Sequence, residues 1–529
     1  MKGTGALVRL ILRRDRILLP LWVIIIALLP VSVASSTGSL YSTDEARGGY
    51  IRDALSNTLF LVLYGRPTEP GLGAVTFWRA STSMAILALI SMFTVIRHTR
   101  VEEEAGRRDL VGSTVVGRQA GLLAALLVTF AANVVIGVVI ALTMPSQDPS
   151  TEGALAMGAA WAAVGCVFAL VGAVTAQLSE TAAAARGIGG AVLAIAFVVR
   201  GFGDANSENG GIGWLSPLGW INYVHAYSDN RWWVFALVGG FALALGWLAF
   251  ALAARRDVGA GILAPRLGPA EAAAGLRSPL ALAWRLHRTA LFGWLASFAL
   301  FGVLVGGFAQ TAGNMLNENP ALKQYLERIG GTAAFSDIII AGLFSIGALA
   351  LSGLAISAAL RLRTEEATLH SEPVLATGTS RLRWANSHLA FAIFGPVVAM
   401  ALSGVVAGLV HGVNTGDVGH ELPRVLAGAL VQVPAVWLLG GLTVAAFGVL
   451  PRLATTIGWL GLSVCFLLGQ LGAVLRLPQS ILDISPFTHI PRVPGGDIAW
   501  TPLIVLTALA LALAAVGLAA FRRRDIPVT

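Results

Sequence analysis

The sequence predicts an all-α polytopic membrane protein with about twelve transmembrane helices. Hydrophobic residues make up 56% of its 529 residues and charged residues only 12%, against about 25% charged in an average soluble domain. The apolar residues form repeated runs of roughly 18 to 25, the length that crosses about 30 Å of hydrocarbon. Because the mean hydropathy is +0.76, we expect lipid to be the solvent for most of the surface, with no separate soluble domain.

The apolar runs divide into six in each half of the chain. The run near the N-terminus follows several arginines and resembles a signal peptide, but its length and the spans after it favour an uncleaved first span. The predicted spans of the first half are residues 17–34, 80–97, 119–143, 154–177, 187–202 and 232–253. Those of the second half are residues 289–310, 337–360, 387–411, 425–450, 456–475 and 500–521.

The distribution of basic residues predicts the orientation of these spans. With the N-terminus in the cytoplasm, 25 of the 36 Lys and Arg residues fall on the inner side and 11 on the outer side. The positive-inside rule selects this orientation and places both termini in the cytoplasm. We expect isolated charges near the outer ends of spans, such as Arg79, Arg200 and Asp337, to snorkel toward water.

Charge motifs recur in the same order in the two halves. Before the first span of each half, Arg13-x-x-Arg16 followed by Trp22 reappears as Arg285-x-x-Arg288 followed by Trp294. After each second span comes a charged segment, residues 100–109 and 363–372, and the corresponding residues are offset by 263. After each sixth span stands an Arg-Arg-Asp triplet, residues 255–257 and 523–525. We therefore predict two pseudo-repeats.

This repeat predicts the domain organisation. Residues 1–254 form the first six-helix half, residues 255–288 a cytoplasmic linker and residues 289–529 the second half. Because each half has an even number of spans, the two halves are expected to be parallel, with a pathway at their interface.

The sequence argues against several kinds of chemistry. A P-loop requires a lysine, and the only two lysines, Lys2 and Lys323, lie outside such a motif. We expect no bound cofactor, no metal site, because the eight histidines lack zinc spacing, and no catalytic residue. Cys166 and Cys465 lie in apolar runs and are expected to be small core residues. No basic stripe with interleaved aromatics indicates nucleic acid.

The charged segments after the second spans are the most informative polar feature. Glu103 and Glu104 precede Arg107 and Arg108 by four residues, and Glu366 precedes His370 by four, the spacing of helical ion pairs. Such a segment is either a solvated loop helix or a docking element for a cytoplasmic partner. Its duplication in a chain with so few charges favours docking.

These motifs resemble the membrane subunit of ABC-2 type exporters, over nearly the whole chain. The resemblance depends on Arg13-Arg14-Asp15-Arg16, on the segment from Glu102 to Asp109, on Arg118 and on the duplicated layout. It is closest to the fused, double-length permeases of actinobacterial polyketide-antibiotic or tetronasin resistance. The implied fold is like that of type V ABC exporters, in a bacterial plasma membrane.

The resemblance implies a function and residue roles. The charged segments would be coupling helices that dock on two copies of a separate ATPase subunit, which binds ATP and Mg. Their residues would be Glu102, Glu103, Glu104, Arg107, Arg108 and Asp109, and Glu365, Glu366 and Glu372 in the second copy. That copy departs from the pattern, since Ala367, Leu369 and Pro373 replace Glu104, Gly106 and Leu110, so we expect weaker or different docking.

The implied activity is export of amphipathic drugs or polyketides by alternating access. Trp22, Phe93, Trp294 and Phe344 are candidates to line the pathway, although packing in the core or against lipid is the simpler interpretation of each. Two alternatives stay open. A proton-coupled secondary drug carrier of the major-facilitator type also has twelve spans, but no convincing mid-membrane ionisable residue is visible. A membrane enzyme would need catalytic carboxylates near a membrane face.

Overall fold

The computed structural model describes residues 2–56, 58–108, 115–207, 209–257, 259–263, 270–273, 275–318, 331–471 and 478–525. Within these ranges the regular structure is helical, without a β-strand. The chain divides into two compact units, Met1–Gly268 and Pro269–Thr529.

The first unit begins with α1, an amphipathic helix whose Ile11 packs on the third long helix. The first two long helices are α2 and α6. The shorter helices α3 to α5 join them, and α7 follows α6 directly. The bounds are α1 Thr4–Arg14, α2 Leu18–Leu40, α3 Asp44–Ser56, α4 Thr58–Tyr64, α5 Leu72–Ala80, α6 Thr82–His98, α7 Arg100–Glu104, α8 Ala120–Thr143, α9 Thr151–Leu178, α10 Ala182–Asn206, α11 Pro217–Asn222 and α12 Trp233–Arg255.

The second unit contains longer helices. Its first helix begins at Pro279, within the predicted linker. The bounds are α13 Pro279–Glu318, α14 Gly331–Ala367, α15 Ser371–Ala376, α16 Arg381–Thr415, α17 Val418–Leu430, α18 Val433–Val449, α19 Ala454–Leu471, α20 Gln479–Leu482 and α21 Trp500–Arg523.

The polytopic membrane architecture is confirmed. Among the described residues, 11 helical segments are long and apolar enough to cross a membrane. The remaining predicted span, residues 456–475, corresponds to the shorter apolar helix α19. The predicted span 187–202 was too short, because α10 runs from Ala182 to Asn206.

Arg200 lies inside the predicted span 187–202 and is buried in α10. Its side chain is 3% exposed, so the expectation that it snorkels is wrong. The guanidinium donates to the carbonyl oxygens of Val62 and Leu63 at 2.8 and 2.9 Å. Asp337 is also buried, and its carboxylate accepts from Arg424 at 2.6 Å. Specific protein partners therefore replace water around both charges.

Glycines let the long helices approach closely. In the second unit, a Cβ on Gly448 would lie 2.0 Å from the carbonyl oxygen of Gly517, where α18 crosses α21. In the first unit, Gly137 and Gly158 make the same kind of contact between α8 and α9. Lipid supplies little hydrophobic force between helices, so close packing of small residues contributes much of their association.

Candidate functional site

The first acidic segment, residues 100–108, follows α6 after a break at Thr99. Thr99 leaves helical geometry with φ −119° and ψ −80°, and its hydroxyl donates to the carbonyl of Val95 at 2.7 Å. The short helix α7 then ends at Glu104, and Gly106 turns the chain with φ +66°. A positive φ is accessible to glycine without a steric penalty. The segment is thus a short helix followed by a tight left-handed turn.

Glu103 lies at the centre of a buried charge cluster. Its carboxylate is 2.8 Å from Arg256 and 3.0 Å from Arg100, and it also pairs with Arg108. Both oxygens accept from Arg256, which follows the last helix of the unit. We name this set of four residues the Glu103 cluster.

Main-chain oxygens compensate the excess positive charge of the Glu103 cluster. Arg100 donates to the carbonyl of Ala176 at 2.9 and 2.6 Å and to that of Ala260 at 3.0 Å. Arg256 donates to the amide oxygen of Gln177 at 2.6 Å. The cluster therefore joins the end of α6 to the end of α9 and to the first part of the predicted linker.

Burial changes the proton affinity of the cluster. Desolvation, together with the nearby Arg256 and Arg100, lowers the pKa of Arg108 to about 10. Desolvation also lowers the pKa of Arg256. Both shifts have the expected direction, because a low-dielectric environment disfavours the charged form of a base.

The three consecutive glutamates contact three different parts of the first unit. Glu102 pairs with Arg14, at the end of α1, and accepts from Arg107 at 2.7 and 3.0 Å. These bonds to Glu102 raise the pKa of Arg107. Glu104 accepts from the main-chain N–H of Ala182 at 2.9 Å and so caps the start of α10. The acidic segment is therefore a junction of α1, α10 and α12.

The predicted helical ion pairs are replaced by pairs of another spacing. Arg107 pairs with Glu102, and Arg108 pairs with Glu103, five residues apart in each case. The left-handed turn at Gly106 ends the helical periodicity before the arginines, so partners four residues apart no longer face each other. Glu104 and Arg107 are exposed, and Asp109 lies outside the described residues.

The N-terminal segment before the first span is anchored by its acidic residue. Asp15 is buried, and its carboxylate lies 2.6 Å from Nε2 of His98 and 3.0 Å from Arg97. Arg14 bonds to Glu102, whereas Arg13 and Arg16 are exposed. Asp15 therefore fixes the start of α2 against the end of α6.

The second acidic segment, residues 363–372, contains a related pair of contacts. Glu366 is buried and accepts two bonds of 2.6 Å from Arg524, which follows the last helix of its unit. Arg381 donates to the carbonyl of Arg524 at 2.6 Å, just as Arg118 donates to that of Arg256 in the first unit. Each unit therefore ties its acidic segment to the arginine after its last long helix.

The two segments differ in their surroundings. Arg524 lies over the rings of Phe447 and Phe521, at 4.9 and 5.2 Å, rather than among further arginines. Glu365 pairs with Arg361 at 2.7 Å and, more distantly, with His370 at 3.8 Å, so the predicted Glu366–His370 pair is replaced. Glu372 is exposed.

Leu369, at the position that corresponds to Gly106, also has a positive φ. Its φ is +62°, in the left-handed region that costs about 1–2 kcal/mol for a residue with a Cβ. The second segment therefore keeps the turn although it has lost the glycine.

The four candidate pathway residues pack within the cores of their units. Phe344 is completely buried and Trp22 is 9% exposed. Phe93 and Trp294 pack as partly buried side chains against the same hydrophobic clusters. Their role in a pathway stays a prediction.

Sequence reasoning did not identify the partners of the acidic segments. Arg256 and Arg524 each belong to the repeated Arg-Arg-Asp triplets, and that repetition is the signal that could have indicated a shared structural role.

In the described part of the chain, no group of three or more His, Cys, Asp or Glu side chains could hold a metal ion.

Comparisons with known proteins give one consistent result. The family described as "Multidrug efflux system permease Rv1217c, C-terminal domain" matches residues 276–522. The chain is also 43% identical over 526 residues to "Multidrug efflux system permease protein Rv1217c" of Mycobacterium tuberculosis (strain ATCC 25618 / H37Rv), a match that covers 99% of this chain and 95% of that protein.

Proposed function

This chain belongs to the multidrug efflux system permease family, and we propose that it is the membrane subunit of an ATP-driven ABC-2 type exporter in fused, double-length form. As a multi-pass permease it has a transport role. The proposed activity is expulsion of amphipathic drugs or polyketide-type antibiotics from a bacterial cell, by alternating access. Two copies of a separate ATPase subunit, carrying ATP and Mg, would supply the energy.

One observation carries this proposal. In each unit, a buried glutamate of the acidic segment binds the arginine that follows the last long helix, Glu103 to Arg256 and Glu366 to Arg524. A force on either segment would reach the end of that helix through a charge-assisted contact rather than through a loop. Such a connection suits a segment that receives a push from a partner and transmits it to the membrane helices.

Burial supports a division of roles among the residues of the acidic segments in this proposal. Glu103 and Glu366 are buried and suit transmission, whereas the exposed Glu104 and Arg107 and the exposed Glu372 suit direct contact. The positive-inside distribution supports cytoplasmic termini and therefore a cytoplasmic location for both segments.

A charge-reversal experiment tests the docking role. In permease purified together with its ATPase, replacing Glu104 with Lys and Arg107 with Glu should reduce drug-stimulated ATP hydrolysis several-fold, because exposed docking charges steer and orient a partner. The variant also loses the Glu104 cap of α10 and the exposed Arg107–Glu102 pair, so insertion and helix content are compared with those of the unmodified permease by circular dichroism. Glu69→Lys, an exposed change outside both acidic segments, is the matched control. Stimulation equal to that of the unmodified complex would count against docking through this segment.

The rival function is a proton-coupled secondary drug carrier. One observation favours it, because Asp337 and His411 are buried at the ends of predicted spans of the second unit. Asp337 pairs with Arg424, and His411 lies 3.8 Å from Glu421. Intramembrane ionisable groups often belong to proton relays.

Reconstitution distinguishes the two functions. The ATP-driven proposal predicts that vesicles containing the permease alone accumulate no drug when a proton gradient is imposed. Adding the ATPase subunit and ATP should start transport. Gradient-driven uptake by the permease alone would refute the ABC assignment.

A further inference from the structure

A cavity of about 420 Å³ lies beside the first turns of α21 in the second unit. This volume is within the range of small-molecule sites in proteins, roughly 300–1,000 Å³. Its walls come from α18, from α21 and from the segment that precedes α21. We name it the Asp483 cavity, after its acidic residue.

The Asp483 cavity has a polar end and an apolar end. Asp483, His489 and Thr501 line it where α21 begins, and Val505 and Leu509 line it further along the helix. With a rise of 1.5 Å per residue, Thr501 and Leu509 are about 12 Å apart along the helix axis. The cavity therefore changes from polar to apolar over the length of a small amphipathic molecule.

The apolar end is accessible from the side of the helix. Val505 is 50% exposed and Leu509 49%, although both line the cavity. In a membrane-spanning helix such surface faces hydrocarbon. An apolar ligand could therefore enter from the bilayer without crossing a polar barrier.

Within the described part of the chain, no basic side chain pairs with the acidic group at the polar end. Asp483 accepts one hydrogen bond, of 2.7 Å, from the side chain of Gln479. Asp483 is exposed and forms no ion pair with another described residue, whereas the buried acids Asp337 and Glu366 each have an arginine partner. A carboxylate beside apolar walls attracts a cation more strongly than it would in water.

We propose that the Asp483 cavity binds amphipathic organic monocations, with the cation beside Asp483 and the apolar part along Val505 and Leu509. This inference deepens the proposed efflux of amphipathic drugs by specifying the charge class of one ligand. His489 supports the site, because its Nε2 donates to the carbonyl oxygen of Asp483 at 2.9 Å and so fixes the backbone that carries the carboxylate.

Equilibrium binding tests the proposal without ATP, an ATPase or a gradient. The intact permease in phosphatidylcholine nanodiscs is titrated with ethidium, an aromatic monocation, and fluorescence anisotropy is measured. Asp483→Asn should raise the Kd about three- to fivefold, the effect of a half-exposed ion pair. Val505→Trp should raise it more than tenfold, because it fills the apolar end. The anion 8-anilinonaphthalene-1-sulfonate should bind no better to the unmodified protein than to Asp483→Asn.

Matched variants separate the site from general effects. Asp497→Asn removes an exposed carboxylate from the same loop, and Ile504→Trp enlarges an exposed neighbour on α21 that does not line the cavity; both should leave the Kd unchanged. Equal Kd values for the unmodified protein and for both cavity variants would overturn the proposal and indicate that lipid alone fills the cavity. If the unmodified permease with its ATPase and ATP exports no drug but the permease binds ethidium as expected, the proposed function is refuted and the proposed site is not.

Discussion

Replacing Glu103 and Arg256, singly and together, should show how strongly the Glu103 cluster holds the first unit together. Glu103→Gln keeps the size of the side chain and one acceptor but removes the negative charge. Arg256→Gln removes the donor that binds both carboxylate oxygens. The double variant closes the cycle, so that the interaction between the two side chains can be isolated from their other contacts.

The structure gives the expected magnitude. The side chains of Glu103 and Arg256 are 1% and 6% exposed, so water screens their attraction very little. Hydrogen bonds to charged groups contribute about 1.5–3 kcal/mol each, and removing one partner of a buried ion pair costs about 3–5 kcal/mol. Arg100 and Arg108 would lose their shared counter-charge as well. We therefore expect Glu103→Gln to cost about 3 kcal/mol and the coupling energy to be about 2 kcal/mol.

Reversible unfolding in mixed micelles, titrated with sodium dodecyl sulfate and followed by circular dichroism, measures these free energies. The pair of Glu102 and Arg107 provides the control, because the side chains are 21% and 49% exposed and should couple far more weakly. If the exposed pair couples as strongly as the buried pair, or if the buried pair couples by less than about 0.5 kcal/mol, burial is not what makes the cluster a rigid connection.

Two further predictions concern glycine positions and use the same unfolding measurement. Leu369→Gly should raise the free energy of unfolding by about 0.5–1 kcal/mol, because it relieves a left-handed backbone. Gly106→Leu should lower the free energy of unfolding by about 1–2 kcal/mol. If neither variant changes it, the interpretation that these backbone positions are strained is wrong. Gly448→Leu should cost more than about 3 kcal/mol, because its Cβ would lie 2.0 Å from the carbonyl oxygen of Gly517. Gly469→Leu is the control, because no atom of another described residue lies within 4 Å of the added Cβ. An equal loss there would refute the close-crossing interpretation.

The positions of most spans could be predicted because they depend on local composition. The predicted span 232–253 corresponds to the helix Trp233–Arg255, and 500–521 to Trp500–Arg523. A bilayer of fixed thickness selects runs of a given apolar length, whatever their neighbours are. The span 187–202 was underestimated because it was limited to the residues between Arg186 and Gly203, and Arg200 within it was expected to snorkel. Only the tertiary structure supplies the carbonyl groups that let this arginine lie inside.

The acidic segments could be located but their contacts could not be derived. Duplicated charge in a chain with few charges indicated residues 100–109 and 363–372 as special. The partner of Glu103, however, is 153 residues away in sequence, and no local pattern specifies which helix ends will meet. The left-handed turns at Gly106 and Leu369 also shifted the ion pairs within the segments, which a helical spacing rule does not anticipate.

By itself, the sequence determined that lipid is the solvent, about how many helices cross it and which short polar segments lie between them. These properties follow from apolar length and from the cost of placing charge in hydrocarbon, and both can be evaluated one segment at a time. The tertiary structure decided which charges are buried with partners, as Glu103 is, and which stay exposed beside apolar walls, as Asp483 does. That distinction depends on the low dielectric between specific packed helices, where a charge is stable only if a distant part of the chain, or a ligand, supplies its counter-charge.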